Sequence, residues 1–250
     1  MTVAGALRDV PLFSQLRDGD VARLSQAAQL RSFPRDSIIA LQSDPGNALY
    51  VIVSGQVKLV LTAEDGREVI LSTRSEGDFF GEMSLIDNQP LSATVIAMED
   101  AQLLVLRRED FYRCLEDFPQ VTFGLLRALC KRLRKADDKI GSLALLEVPG
   151  RVAHLLLELA DESDGVHVTQ QVTHHFIAQM IGSSRETVSR AMRDLTAQGL
   201  IEVSRKTLAI ANRRKPPESS APSGEELIEV TRRTITVRNR KGLEAAAGRP

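Results

Sequence analysis

The chain has 250 residues, 43% of them apolar, with 32 basic against 33 acidic side chains, two cysteines and no tryptophan, the make-up of an ordinary globular protein of one or two domains. No window approaches the roughly 18 uninterrupted apolar residues of a membrane helix, and Met1 to Pro11 lacks the basic-then-apolar order of a secretory signal, so the reading is a cytoplasmic protein with no membrane partner. Cys114 and Cys130 are too few for a disulfide scaffold and too far apart for a CxxC pair, and are expected as two reduced thiols packed as small hydrophobes.

The first half reads as strands. Gly55, Gly66 and Gly77 recur every 11 residues, and the runs Leu49–Val53, Val57–Thr62 and Glu68–Ser72 between them are short and rich in apolar and β-branched residues. Regular short strands divided by turn glycines point to a β-roll or jelly roll. Asp65-Gly66 is a hairpin dipeptide, because glycine tolerates positive φ. Ser92–Ala97 and Gln102–Arg107 add further strands, and about eight fit before residue 108.

After Arg108 the periodicity becomes helical. Leu126, Leu129, Leu133, Ala136, Ile140 and Leu143 follow one another at alternating spacings of 3 and 4, the a/d seam of a heptad, while Lys131, Arg132, Arg134, Lys135, Asp137 and Asp138 are assigned the outward positions. A seam that narrow wants a partner helix. The plainer alternative packs it on the preceding strands; the favoured one pairs it with the same helix of a second chain in a symmetric homodimer.

Glu147-Val-Pro-Gly150 interrupts the pattern and reads as a hinge, because Pro149 disfavours helix at Val148 and Gly150 loosens the backbone. A second domain follows, with helices over Arg151–Ala160, Val172–Met180 and Ser184–Gln198. Two short strands, Leu200–Val203 and Thr207–Ile210, are joined through Ser204-Arg205-Lys206, completing helix, helix, turn, helix, wing. From Arg213 the composition is that of a flexible linker. The remaining stretch to Pro250 is charged and weakly patterned, with Ile235 and Val237 alternating as a short strand does.

Charge is unevenly spread. Residues 1–147 carry 17 basic and 21 acidic side chains, whereas residues 183–215 carry 8 and 3. A local basic face on an otherwise acidic body suits a polyanion. Within that face, Gly182 falls at a turn that needs positive φ, and Val188, Met192 and Leu195 form the buried stripe of the next helix. Arg185, Glu186, Ser189 and Arg190 then point away from the core. An arginine in the first turn can donate twice to guanine and a carboxylate can accept from cytosine N4, so the helix carries groups suited to reading G·C pairs in a major groove. Plainer readings stand beside this one. Ser183 and Glu186 fit an S-x-x-E capping box, and Arg190 is spaced to pair with Glu186.

The stretch Ile181-Gly-Ser-Ser-Arg-Glu-Thr-Val-Ser-Arg190 resembles the recognition-helix motif of the Crp/Fnr family of bacterial transcription regulators, and the order of β-roll, long helix and helix-turn-helix is similar to that family from about Leu12 to Arg213. The resemblance implies an α+β chain divided into a cyclic-nucleotide-binding-like sensor domain (1–115), a dimerisation helix and hinge (116–147), a winged helix-turn-helix domain (148–213) and a flexible charged tail (214–250). It implies base contacts from Arg185, Glu186 and Arg190, positions near phosphate for Thr173, Ser184 and Thr187, a TGTGA/TCACA palindrome in double-stranded DNA, and RNA polymerase as a further partner. Arg205 stands where the family often has glycine, so the wing is either reshaped or gains a phosphate contact.

Gly77-Asp-Phe-Phe-Gly-Glu-Met through Thr94 resembles the family's phosphate-binding cassette. Gly81, Glu82 and Ser92 are its ligand-binding positions here, with Glu82 matching the residue that holds the ribose hydroxyl. The position of the phosphate-binding arginine is Leu91, and the adenine-contacting hydroxyl positions on the long helix are Ala136 and Asp137. Two readings compete: a sensor that no longer uses ordinary cyclic AMP, and a non-standard pocket for cyclic AMP or cyclic di-GMP, served by Arg74 or another basic group. An effector, or protein concentration, is expected to set the orientation of the two DNA-binding domains through the Pro149-Gly150 hinge. His154, His167, His174 and His175 do not form a metal site by spacing, and the absence of a P-loop, GxSxG or HExxH motif argues against an enzyme.

Overall fold

The computed structural model describes residues 3–168, 172–211 and 227–248, with the side chains of 205–211 and 227–233 outside the description. The chain divides into two compact units, residues 1–138 and 139–250. In order, the first holds α1 (Val3–Asp9), α2 (Asp18–Ala27), β1 (Gln29–Phe33), β2 (Ile38–Ala40), β3 (Ala48–Ser54), β4 (Val57–Thr62), β5 (Glu68–Arg74), β6 (Phe79–Phe80), α3 (Glu82–Asp87), β7 (Thr94–Ala97), β8 (Ala101–Arg107), α4 (Arg108–Asp117) and most of α5 (Pro119–Leu145).

The strands make two antiparallel sheets, β1-β8-β3-β6 and β2-β7-β4-β5. The near-continuous apolar run of β3 has a structural cause. Ile52 meets Val57, Phe80, Val95 and Leu103 between the sheets, while Leu49, Val51 and Val53 pack with α1, α2, α4 and the start of α5 around Phe13 and Phe111. Both faces of the strand are therefore covered, and alternation is lost. Gly55, Gly66 and Gly77 all have positive φ, at the turns their spacing predicts.

Helix α5 uses two faces. Val121 and Leu125 are buried in the first unit's core, with Ala128 and Leu129 packed partly against it. The heptad seam lies largely elsewhere: Leu126 is 51% exposed, Leu133 64%, Ile140 63% and Leu143 46%. Cys114 is buried, as expected, but Cys130, on α5, is exposed. Burial pushes the Cys114 thiol up to about 12, with Asp117 adding to the effect.

The second unit continues with α6 (Val148–Asp161), β9 (His167–Val168), α7 (His174–Ile181), α8 (Arg185–Ala197), β10 (Ile201–Ala211), β11 (Leu227–Val237) and α9 (Arg240–Ala246). Three sequence expectations change here. Pro149 lies in the first turn of α6 behind Glu147, where its missing N–H costs nothing, so the interruption is at Leu146 and Glu147. Gly150 is not loose. A Cβ there would meet Ala246 O at 3.0 Å and Leu146 Cβ at 3.4 Å, so its value is the close approach of α9.

The wing differs as well. β10 runs straight through Ser204-Arg205-Lys206 and pairs with β11 from Ile201↔Val237 to Ala211↔Leu227. A tight hairpin needs positive φ that these three residues do not favour, and Ile235 and Val237, both buried, supply a better-patterned partner. The stretch 214–250 is thus not simply a tail: β11 joins a sheet of order β10-β11-β9, and α9 packs on α6 through buried Leu243. The linker-like residues 213–224 lie outside the described residues.

Candidate nucleic-acid interface and sensor cassette

The helix-turn-helix is built from apolar stripes and hydroxyl caps. Phe176, Ile177, Ala178 and Ile181 of α7 and Val188, Ala191, Met192 and Leu195 of α8 are buried, against an α6 whose Val152, Leu155, Leu156 and Leu159 are also buried. Gly182 closes α7 in the left-handed conformation at φ 63°, which glycine reaches without steric cost. Its N–H donates to Ala178 O, and the Arg151 side chain donates to Ile181 O at 3.0 Å.

Thr173 caps α7, its hydroxyl accepting from the Phe176 N–H at 3.0 Å. Ser184, not Ser183, caps α8: its hydroxyl accepts from the Thr187 N–H at 3.1 Å and lies 3.0 Å from the Thr187 hydroxyl. The capping box expected of Ser183 and Glu186 therefore does not form, because Glu186 falls one position too early to reach back. Backbone N–H donation, the Ser184 hydroxyl and the neighbouring Arg185 charge hold the Glu186 carboxyl below the usual range, consistent with a carboxylate at a helix N-terminus.

Arg185, Glu186 and Arg190 are exposed on α8, with Ser189 between them half-buried. Among the described residues neither arginine is held in an ion pair, so the expected alternative of an Arg190–Glu186 bridge is not formed. Ser184 and Thr173 are spent on caps, which fixes the helix ends. Arg205 sits inside β10, and its side chain lies outside the described residues.

The cassette is organised around a buried carboxylate. Gly81 has φ 90°, and a Cβ there would strike Ala48 O at 2.5 Å. Immediately after it, Glu82 opens α3 and is 3% exposed. Its Oε1 is paired with the Arg132 guanidinium, which also donates to Phe79 O at 2.5 Å and lies over the Phe79 ring, 4.3 Å from its centroid. Glu82 Oε2 is buried without a hydrogen-bond partner. At the other end of α3, Arg108 donates to Asn88 Oδ1 at 2.6 Å and to Gly46 O at 2.7 Å, fixing the helix against the loop before β3.

Arg132, assigned outward by the heptad, instead turns inward and is 20% exposed on its side chain. The signal that identifies it is a second face: Val121, Leu125, Ala128 and Arg132 follow at spacings of 4, 3 and 4, one side of a helix. Leu91 is half-buried, exchanging backbone bonds with Ser43 and Asp44 at 2.9 Å, and Ser92 is exposed. Arg74 donates to Thr73 O at 2.8 Å. Among the described residues no group of three or more His, Cys, Asp or Glu is placed to hold a metal ion, and no helix is long and apolar enough to cross a membrane.

Comparison with known proteins agrees with this division. Residues 30–118 match the cyclic nucleotide-binding domain and residues 150–215 the Crp-like helix-turn-helix domain; β11 and α9 lie beyond the second span. The CRP-like cAMP-activated global transcriptional regulator of Mycobacterium tuberculosis is 33% identical over 209 residues, covering 82% of this chain and 93% of its own. The cyclic AMP receptor protein of Thermus thermophilus is 37% identical over 204 residues, covering 82% and 94%. Among solved structures, the c-di-GMP-responsive global regulator CLP of Xanthomonas campestris is similar at a TM-score of 0.66 and 26% identity, covering 74% of this chain and 95% of its own.

Proposed function

The chain belongs to the Crp/Fnr family of DNA-binding transcription regulators, and from that premise we propose that it binds a TGTGA-type palindrome as a homodimer, in the cytoplasm, and acts there with RNA polymerase. The observation that carries the reading is the face of α8. Arg185, Glu186 and Arg190 are exposed on a helix whose opposite face is buried and whose first turn is pinned by Ser184. Arg185 and Arg190 read guanine and Glu186 accepts from cytosine, while Thr173, Ser184 and Thr187 lie near the sugar-phosphate backbone. The exposed seam of Leu126, Leu133, Ile140 and Leu143, with Leu129 and Ala136 between them, supports pairing through α5. Entering successive major grooves requires the two α8 helices of a dimer to lie about one helical turn of DNA apart, roughly 34 Å. Footprinting on a TGTGA palindrome tests this. Protection that Arg185→Ala abolishes, with the dimer retained, supports direct reading; equal affinity and specificity in the variant rejects it.

For the sensor we propose that ordinary cyclic AMP is not the effector. Leu91 offers no charge to a cyclic phosphate, and a phosphate buried without a cationic partner costs several kcal/mol. Arg132, the guanidinium beside Glu82, is already committed to Glu82 and Phe79. A second reading rests on one observation: Glu82 Oε2 is buried and free to accept, as a ribose hydroxyl requires. In that reading a cyclic nucleotide, cyclic AMP or cyclic di-GMP as in the relatives named above, occupies the pocket with Arg132 as its cation. Isothermal titration separates them. Micromolar cyclic AMP binding overturns the first reading and its absence, with cyclic di-GMP binding retained, narrows the second.

A further inference from the structure

The helix that opens with Glu82 is six residues long, too short to hold its shape by its own hydrogen bonds, so its place is set by what grips it. Residues 46–48 meet it along its length. At the start of α3, a Cβ on Gly81 would come within 2.5 Å of Ala48 O. One turn on, a Cβ on Gly46 would overlap Ser84 Cβ at 2.1 Å, so glycine there admits the buried Ser84 to direct contact with the backbone.

Arg108, the first residue of α4, ties down the other end. Its backbone N–H donates to Asn47 O at 3.0 Å. Its guanidinium spreads over four acceptors, Asn88 Oδ1 at 2.6 Å, Gly46 O at 2.7 Å, Ser84 O at 3.2 Å and Leu85 O at 3.3 Å. Ser84 and Leu85 lie in the last turn of α3, whose carbonyls have no partner within the helix, and a cation suits that end of the helix dipole. Tyr112, one turn along α4, reinforces the grip: its hydroxyl donates to Leu85 O and accepts from Arg108 Nη1 at 3.4 Å. A planar fork of N–H groups can bridge Gly46 and Asn88 at once, whereas a lysine ammonium is a single point on a flexible stem. Glu82 stands at the opposite end of the same six residues, with Oε1 on Arg132 and Oε2 buried without a partner. Any shift of α3 carries that carboxylate with it.

We propose that Arg108 is a positioning residue for Glu82, acting through α3: it seats the helix on residues 46–48 and so aims the buried carboxylate at Arg132 and at a ligand. The second of these roles rests on the reading of Glu82 as the acceptor of a nucleotide hydroxyl; the first stands on the geometry alone. A double-mutant cycle of Glu82→Gln and Arg132→Gln, read as urea midpoints of the full chain, tests it in two backgrounds, wild type and Arg108→Lys.

In the wild-type background the two losses are expected to overlap, the double variant losing little more than either single one, as for residues in contact. In Arg108→Lys that overlap is expected to fall by roughly half or more, because the carboxylate no longer meets its guanidinium in register. A residue that only adds stability lowers every midpoint alike and leaves the overlap intact; that result overturns the proposal. If Arg108→Lys does not fold, Tyr112→Phe, which keeps the arginine and removes one hydroxyl, takes its place with the same two outcomes. Calorimetric titration with cyclic AMP and cyclic di-GMP reads the ligand role separately. A nucleotide that the wild type binds is expected to bind Arg108→Lys about tenfold more weakly, the size of one misplaced hydrogen bond, and equal affinity overturns that role. Binding of neither by the wild type overturns the nucleotide reading, and the cycle then decides the role of Arg108 by itself.

Discussion

The face of α8 and the cassette around Glu82 both depend on arginine and glutamate, and they use them in opposite ways. On α8 the charges are exposed and unbridged, held in place only by the helix that carries them. In the cassette the carboxylate is buried and a guanidinium from the same chain meets it. Solvated charges cost little to keep and are available to a partner, so their removal is felt in binding. A buried pair is costly to split, so its removal is felt first in folding. The difference leaves the charges of α8 available to a partner and makes the Glu82–Arg132 pair a structural junction between α3 and α5.

The largest expected effect tests the cassette. Arg132→Ala leaves Glu82 buried without its cation and is expected to destabilise the first unit by about 3–5 kcal/mol in urea unfolding, with Glu82→Gln in the same chain recovering part of the loss. Full stability in Arg132→Ala breaks the comparison. The next tests α8: Glu186→Gln is expected to cost no more than the roughly 0.3–1 kcal/mol of a helix-terminal charge in urea unfolding, but to reduce discrimination between the palindrome and a site altered at the contacted C·G pair by roughly tenfold in competition gel shifts. Because the Glu186 carboxyl is held below its ordinary range, wild-type discrimination is expected to stay level as pH falls from 8 to 5, the carboxylate remaining ionised throughout; a decline beginning near pH 6 counts against the assignment.

Ser184→Ala removes the cap of α8 and is expected to cost about 1 kcal/mol of stability, read as a lowered midpoint in thermal unfolding of the full chain. The smallest effect is chemical. At pH 8 a thiol reagent is expected to label Cys130 and spare Cys114, whose thiol sits at about 12; two equally fast thiols contradict the packing of α4.

Much of the fold was legible because local signals and tertiary demands agree. Turn glycines, short apolar runs, the Gly182 turn and the stripe of Val188, Met192 and Leu195 each have a local cause, and the structure keeps them. The exposure of Arg185, Glu186 and Arg190 is legible too, because the buried stripe leaves them on the opposite face of α8. The misreadings arose where a distant partner decides. The heptad puts Arg132 outward because it records one face of α5, while Val121, Leu125 and Ala128 define the other. Local composition suggests a tight turn at Ser204-Arg205-Lys206, whereas the second strand of the wing begins at Leu227. Ile235 and Val237 did carry the alternation of a strand, but nothing nearby in sequence named its partner. Ser183 and Ser184 are both plausible caps by spacing, and only the backbone chooses between them.

Gly150 shows how tightly the two ends of the second unit are interlocked. Its α-carbon lies close under the carbonyl of Ala246, so a methyl group placed there makes a tight contact, 3.0 Å from that oxygen, and α9 has to give by a few tenths of an ångström to admit it. A polypeptide ended at Arg213, where the linker-like composition begins, strips the same surface from the opposite side and bares Leu243's seat together with the apolar edge of β10. The truncation is expected to leave a self-associating remnant, which makes β11 and α9 part of the foundation of the second unit.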